Sequence, residues 1–220
     1  MSQNINLKEL EREAWRSVFQ DGLWDIYLGL LLLAMAISTL LSDIGVLKAW
    51  HNAIYVTLLV LPIWIQWAGK KFITIPRMGH VKFGLKRKAK LKRAVAIIYI
   101  SLFLVVIVGI LVTTESIPPG RVIGIPISAV VWTVMCIVGF SSAAYFLDFN
   151  RLYAYGLLYA IPFSVRILLE QNAGLCSISL IAYFVSAGII LLIGAVLFIR
   201  FLRDYPIPAI PAEEESDDSD

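Results

Sequence analysis

Ala94-Val-Ala-Ile-Ile-Tyr-Ile-Ser-Leu-Phe-Leu-Val-Val-Ile-Val-Gly-Ile-Leu-Val112 decides the fold class. A helix of a water-soluble bundle carries apolar residues at i, i+3 and i+4 and charge on its opposite face. This stretch is apolar all the way round, so it leaves no face for water. Crossing a membrane takes roughly 20 such residues, because each adds about 1.5 Å across a hydrocarbon core about 30 Å thick. Leu23 to Leu41, Ile54 to Ala68, Ile127 to Leu147, Tyr153 to Leu169 and Ile178 to Leu202 are similarly poor in charge. Hydrophobic residues make up 59% of the 220 and charged residues only 16%, against about a quarter charged in a soluble domain. The sequence therefore predicts an all-α integral membrane protein, a bundle of six transmembrane helices at about 22–42, 50–68, 94–113, 127–147, 152–169 and 178–202. The fifth span is the weakest, since Pro162 interrupts it and Arg166 sits inside it.

Charge then orients the bundle. With six spans, both termini and the even-numbered loops share one side. That side holds Lys8, Arg12, Arg16, the ten cations from Lys70 to Arg93, Arg151, Arg200 and Arg203. The other holds Lys48, Arg121 and, near its surface, Arg166. Basic residues flanking spans favour the cytoplasmic side, so the expectation is a multi-pass protein of the cytoplasmic (plasma) membrane with both termini inside. The charged first twenty residues lack the apolar core of a cleavable signal, so the first span is expected to be retained. Trp24, Trp64 and Trp67 near the inner ends and Trp50 near an outer end fit an interfacial aromatic belt, although packing explains any single one equally well.

Three segments lie outside the apolar spans. Residues 1–21 form an expected amphipathic interfacial helix. Asn6 and Glu9 have capping-box-like spacing, and Leu7, Leu10, Ala14, Trp15, Val18 and Phe19 fall on one face. A membrane-surface anchor explains it, and docking to a protein partner is the sharper alternative. Residues 69–93 form a basic cytoplasmic loop between the second and third spans. Within it, Phe72 to Phe83 reads as a small β-hairpin turning at Pro76-Arg-Met-Gly79. Leu85 to Arg93 then reads as helix. Lys86, Arg87, Lys88, Lys90, Lys92 and Arg93 spread around its circumference at 100° per residue, as a collar and not a stripe. With Lys82, these cations are the expected contact for anionic lipid headgroups, at about 1 kcal/mol each, or for a partner or second copy; setting topology would alone explain them. Nucleic acid is not expected, because no aromatic stacking platform or reader fold accompanies the charge. Residues 204–220 read as an extended Pro-rich stretch followed by a disordered acidic tail, whose attraction to the basic loop stays open.

Small residues mark one helical hairpin. Ala129, Thr133, Cys136, Gly139 and Ala143 recur at spacings of three and four in the fourth span, and Gly156, Ala160 and Ser164 at a spacing of four in the fifth. Asp148-Phe-Asn-Arg151 is too short for any connection but an antiparallel one. In lipid, such faces let backbones approach closely.

Chemistry is harder to find. A serine nucleophile in Gly139-Phe-Ser-Ser142 would need a histidine, but His51 and His80 fall near opposite membrane faces. The two cysteines are no disulfide framework: Cys136 falls inside the fourth span and Cys176 in the loop before the sixth. Histidines and cysteines this dispersed do not suit a metal or haem site, so no metal, cofactor or catalytic residue is expected. Asp21 and Asp25 stand one helical turn apart, as metal ligands could, but they more simply lie at the positive end of the first helix. Transport would need ionisable groups at membrane depth. Arg166 lies about 20 Å along the fifth span from Tyr153, with Glu170 one turn later and Pro162 one turn before. An Arg166–Glu170 pair is the plainer reading of these residues; a polar transport site at the Pro162 kink is the alternative. The expectation is a non-enzymatic scaffold, accessory subunit or sensor whose basic loop meets anionic lipid or a partner, with a small channel or transporter as the alternative.

Overall fold

The computed structural model describes residues 19–78, 121–122, 125–169 and 176–206, with Lys92 and Ala96 as isolated helical positions. Five stretches, Leu23–Asp43, Lys48–Arg77, Ile127–Leu147, Arg151–Leu169 and Ser177–Asp204, are helices long and apolar enough to cross a membrane. Those lengths and compositions are those of a multi-pass membrane protein. The expected third span apart from Ala96, residues 79–91 and 93 of the basic loop before it, the amphipathic helix up to residue 18 and the tail beyond Pro206 lie outside the described residues.

We label the helices α1 (Leu23–Asp43), α2 (Lys48–Gly69), α3 (Ile75–Met78), α4 (Ile127–Leu147), α5 (Arg151–Leu169) and α6 (Cys176–Asp204). Between α2 and α3, Lys70–Thr74 forms a π-helical turn. The first arm of the expected hairpin is thereby corrected: Phe72 to Met78 is helical, not extended. Pro76 lacks an N–H and would crowd the carbonyl of Phe72 in a regular α-helix. The wider π turn shifts the hydrogen-bond register by one residue just before it, with the Ile75 N–H donating to the Lys70 carbonyl. A helix can therefore run past a residue that sequence reading treats as a breaker. The second arm, from Gly79 onward, lies outside the described residues.

The fifth span is a helix from Arg151 to Leu169 despite Pro162 inside it. Cys176 opens α6 instead of sitting in the preceding loop. Arg121–Val122 and Ile125–Pro126 pair as a two-residue antiparallel ladder at the start of α4.

Helix α1 packs on α6 and α2, α5 packs on α6, and α4 packs on α5. The α1–α6 contact is close because glycines remove side chains from it. A Cβ on Gly194 would stand 2.7 Å from the Ile26 amide nitrogen, and one on Gly29 would stand 2.7 Å from Leu191 Cγ. Gly22 caps α1 at φ +74°, a left-handed conformation, and abuts the Gly194 carbonyl and the Phe198 nitrogen. Leu32 and Ala36 of α1 are fully buried there along with Ala187 and Ile190 of α6.

The α4–α5 contact uses the small residues that the sequence places on one face. Ala129, Cys136 and Ala143 are buried against α5, whose Gly156 and Ala160 are buried in turn. The Thr133 and Ser164 hydroxyls hydrogen-bond at 2.7 Å across the pair. Apolar side chains are as comfortable in lipid as in a protein core, so this association rests on packing and on such bonds.

The bundle has two distinct ends. At the first meet the starts of α1 and α5 and the ends of the α2–α3 rod, α4 and α6. At the second meet the end of α1, the start of α2, the start of α4 and the end of α5.

Candidate functional site

The first end carries a knot of ionisable side chains that begins at Asp21 and Asp25, both fully buried. Gly22 bends the chain between them, so Asp21 sits ahead of the helix and Asp25 within its first turn. Asp21 Oδ2 accepts hydrogen bonds from Lys70 Nζ at 2.5 Å and from the Thr74 hydroxyl at 3.0 Å, while its Oδ1 accepts from the Leu23 amide at 3.3 Å. The π-helical turn therefore places two polar groups on one carboxylate. This tertiary anchor helps to explain why the segment stays helical.

Asp25 reaches a different helix. The Tyr155 hydroxyl donates to its Oδ1, and Arg151 Nη2 stands 3.1 Å from Oδ2. That second contact is electrostatic: among the described residues Oδ2 has no hydrogen-bond partner. Arg151 Nη2 instead donates to the Phe19 carbonyl at 2.7 Å. One guanidinium thus joins the chain before α1 to the start of α5. A turn deeper, the Tyr159 hydroxyl donates to the Leu28 carbonyl at 2.5 Å, giving α5 a second polar grip on α1. Arg77 donates to the carbonyls of Leu202 at 3.1 Å and Tyr205 at 2.7 Å, so a cation closes the negative end of α6.

Buried ion pairs of this kind do not by themselves add much stability, because desolvation offsets their attraction. Losing one partner is costly, however, since the other charge is then buried alone. Lys70 and Thr74 hydrogen-bond to Asp21, Tyr155 hydrogen-bonds to Asp25, and Arg151 stands beside it.

The second end holds the polar groups expected for transport. Arg166 pairs with Asp43 at the end of α1, Nη1 donating to Oδ2 at 2.8 Å and Nη2 to Oδ1 at 2.5 Å. Glu170, the partner anticipated for it, lies outside the described residues. Nearby, Ser38 Oγ and His51 Nε2 hydrogen-bond at 2.9 Å, clasping α1 to α2 across their connecting turn. Pro162 is buried in α5. Trp132 Nε1 of α4 donates at 3.3 Å to the Tyr159 carbonyl, in the turn that precedes the proline, and Ser164 donates to the Ala160 carbonyl at 2.9 Å. Side chains thus serve part of the backbone around Pro162.

Of the basic contact residues, Lys92 is helical and exposed, whereas Lys82, Lys86, Arg87, Lys88, Lys90 and Arg93 lie outside the described residues. Sequence reading set Asp21 and Asp25 aside as helix-end carboxylates and did not connect them to Lys70, Thr74, Arg151 or Tyr155. The available signal was two acids one turn apart where a span begins, with cations at the ends of two others. Which acid meets which cation depends on helix packing.

Among the described residues, cavities open at the first end. One of about 530 Å³ lies between Gln20, Arg151 and the last turns of α6. An apolar cleft of about 470 Å³ separates α1 from α4, bounded by Trp24, Leu28, Trp132 and Phe140. Against family models, curated proteins and solved structures, the chain finds no match.

Proposed function

We propose that the chain is a non-enzymatic, six-span scaffold, accessory subunit or sensor of the cytoplasmic membrane. In this reading the rigid bundle holds a basic cytoplasmic segment, Lys82 and Lys86 to Arg93, against anionic lipid headgroups or a protein partner. The observation that carries it is the use made of charge in the helices. Asp21 with Lys70, Asp25 with Arg151 and Asp43 with Arg166 each tie one element of the bundle to another. Charges spent on clamps favour a fixed framework over a moving path.

The sixth crossing is supported by connectivity. Met78 belongs to the first end and Arg121 to the second, so the chain between them changes ends, and it contains the apolar run from Ala94 to Val112. The excess of cations at the first end favours its cytoplasmic placement. The transport alternative has less support, since Arg166 is held by two hydrogen bonds and Pro162 is buried within α5.

Titration of the detergent-purified protein with anionic and neutral lipid tests the interaction, alongside a variant with Lys82, Lys86, Arg87, Lys88, Lys90, Lys92 and Arg93 changed to Gln. The expected result is a loss of anionic-lipid or partner binding in the variant. Unchanged binding of both sinks the proposal.

A further inference from the structure

We infer that the 530 Å³ cavity at the first end is a site for a zwitterionic phospholipid headgroup, its phosphate on Arg151 and Arg200 and its ammonium on Asp204 and Gln20. Arg151 is fixed in place before any ligand arrives, because Nη2 is held between the Phe19 carbonyl and Asp25. Among the described residues its Nε and Nη1 make no hydrogen bond, and its side chain is 30% exposed. A guanidinium pinned at one nitrogen with two donors to spare suits a phosphate oxygen pair. Arg200 shares the cavity with its own acid, Asp204, at 3.5 Å. That pair is loose and mostly exposed, so both members can turn to a ligand at little cost.

Charge selects the kind of headgroup. Arg151 is balanced by Asp25 and Arg200 by Asp204, which makes the cavity close to neutral while presenting both signs. An anionic headgroup would meet Asp204 without compensation. A phosphoethanolamine group offers the phosphate to the arginines and three N–H donors to the carboxylate and the Gln20 amide oxygen.

The surroundings fit a lipid better than a soluble phosphate ester. Leu197 and Phe201 wall the cavity. Leu192 and Val196 continue the Arg200 stripe down α6, 68% and 63% exposed, where acyl chains can lie. The site stands where charged residues end the spans, at the depth of headgroups.

The test is competitive binding to the full chain in detergent, comparing phosphatidylethanolamine with phosphatidylglycerol, and adding soluble glycerophosphoethanolamine as a competitor. The expected result is preferential binding of phosphatidylethanolamine, displaced by the soluble headgroup. Asp204→Asn should erase that preference by roughly two- to five-fold, the range for a partly exposed ion pair, and Arg200→Gln should weaken both lipids. Unchanged melting of these variants without lipid checks their folding. Equal or tighter phosphatidylglycerol binding by the natural sequence, an unaffected Asp204→Asn, or failure of the soluble headgroup to compete overturns the assignment. Neutralising the basic segment should leave this preference intact, which separates the two sites.

Discussion

Arg166 and Asp43 face each other across the second end of the bundle as a two-point ion pair, at 2.8 and 2.5 Å, joining the end of α5 to the end of α1. The guanidinium fork matches both carboxylate oxygens, a geometry that lysine cannot reproduce. Both side chains are about one-fifth exposed, which screens the attraction. Arg166→Lys and Asp43→Asn should each lower stability by about 1 kcal/mol or less. A double-mutant cycle read by unfolding in detergent should show that their effects are not additive. If the pair is a clamp, Arg166→Ala leaves solute flux in reconstituted vesicles where the natural sequence has it; a flux abolished by Arg166→Ala in a folded protein restores the transport reading.

Asp25 and Arg151 make a sharper case, because Asp25 is fully buried. Arg151→Ala removes both its counter-charge and the tie to Phe19, and should destabilise by about 3 kcal/mol or more, the scale for breaking a buried pair. Replacing both members, Asp25→Asn with Arg151→Gln, removes the uncompensated charge and should cost less than Arg151→Ala alone. Tyr155→Phe deletes one hydrogen bond to a charged group and should cost about 2 kcal/mol. Equilibrium unfolding of the four proteins orders these effects. A double variant worse than the single would contradict the account.

Close packing of α1 on α6 gives a comparison within one helix. A Cβ on Gly194 would meet backbone atoms of α1 at 2.7 and 3.1 Å, whereas one on Gly188 meets nothing within 4 Å. Gly194→Ala should therefore force the helices apart and cost about 1–3 kcal/mol, as overpacking does. Gly188→Ala should be neutral or slightly stabilising, since alanine favours the helix. Thermal melting of the two variants in the same detergent gives the contrast directly.

The parts of the fold legible in the sequence were those set by composition and period. Spans such as Ile127–Leu147 follow from uninterrupted apolar runs, and Thr133 with Ser164 follows from small residues at helical spacing on two chain-adjacent helices. The parts that escaped depend on contacts between distant segments. Phe72 to Met78 has the β-branched residues and the Pro76–Gly79 spacing of a hairpin, yet it stays helical with Lys70 and Thr74 bound to Asp21 and the π turn accommodating Pro76. Local preference was overridden there by a partner roughly fifty positions away. Arg166 was legible as a residue needing an anion, but Asp43 was too far along the chain to nominate.

Topology carries the last prediction, because the six-span arrangement and the placement of both termini stand or fall together. Single cysteines at 48, 80, 121 and 213, in a background with Cys136→Ala and Cys176→Ser, report which side each position occupies. With six spans and both termini inside, an impermeant thiol reagent added to intact cells labels positions 48 and 121 and spares 80 and 213 until the membrane is opened. Met78 and Arg121 belong to opposite ends of the bundle, so positions 80 and 121 must differ if the segment between them crosses. Identical labelling of those two removes the third span. Labelling of 213 from outside, with 80 still protected, removes one crossing after Arg121 and reverses the side of the acidic tail without moving the basic segment.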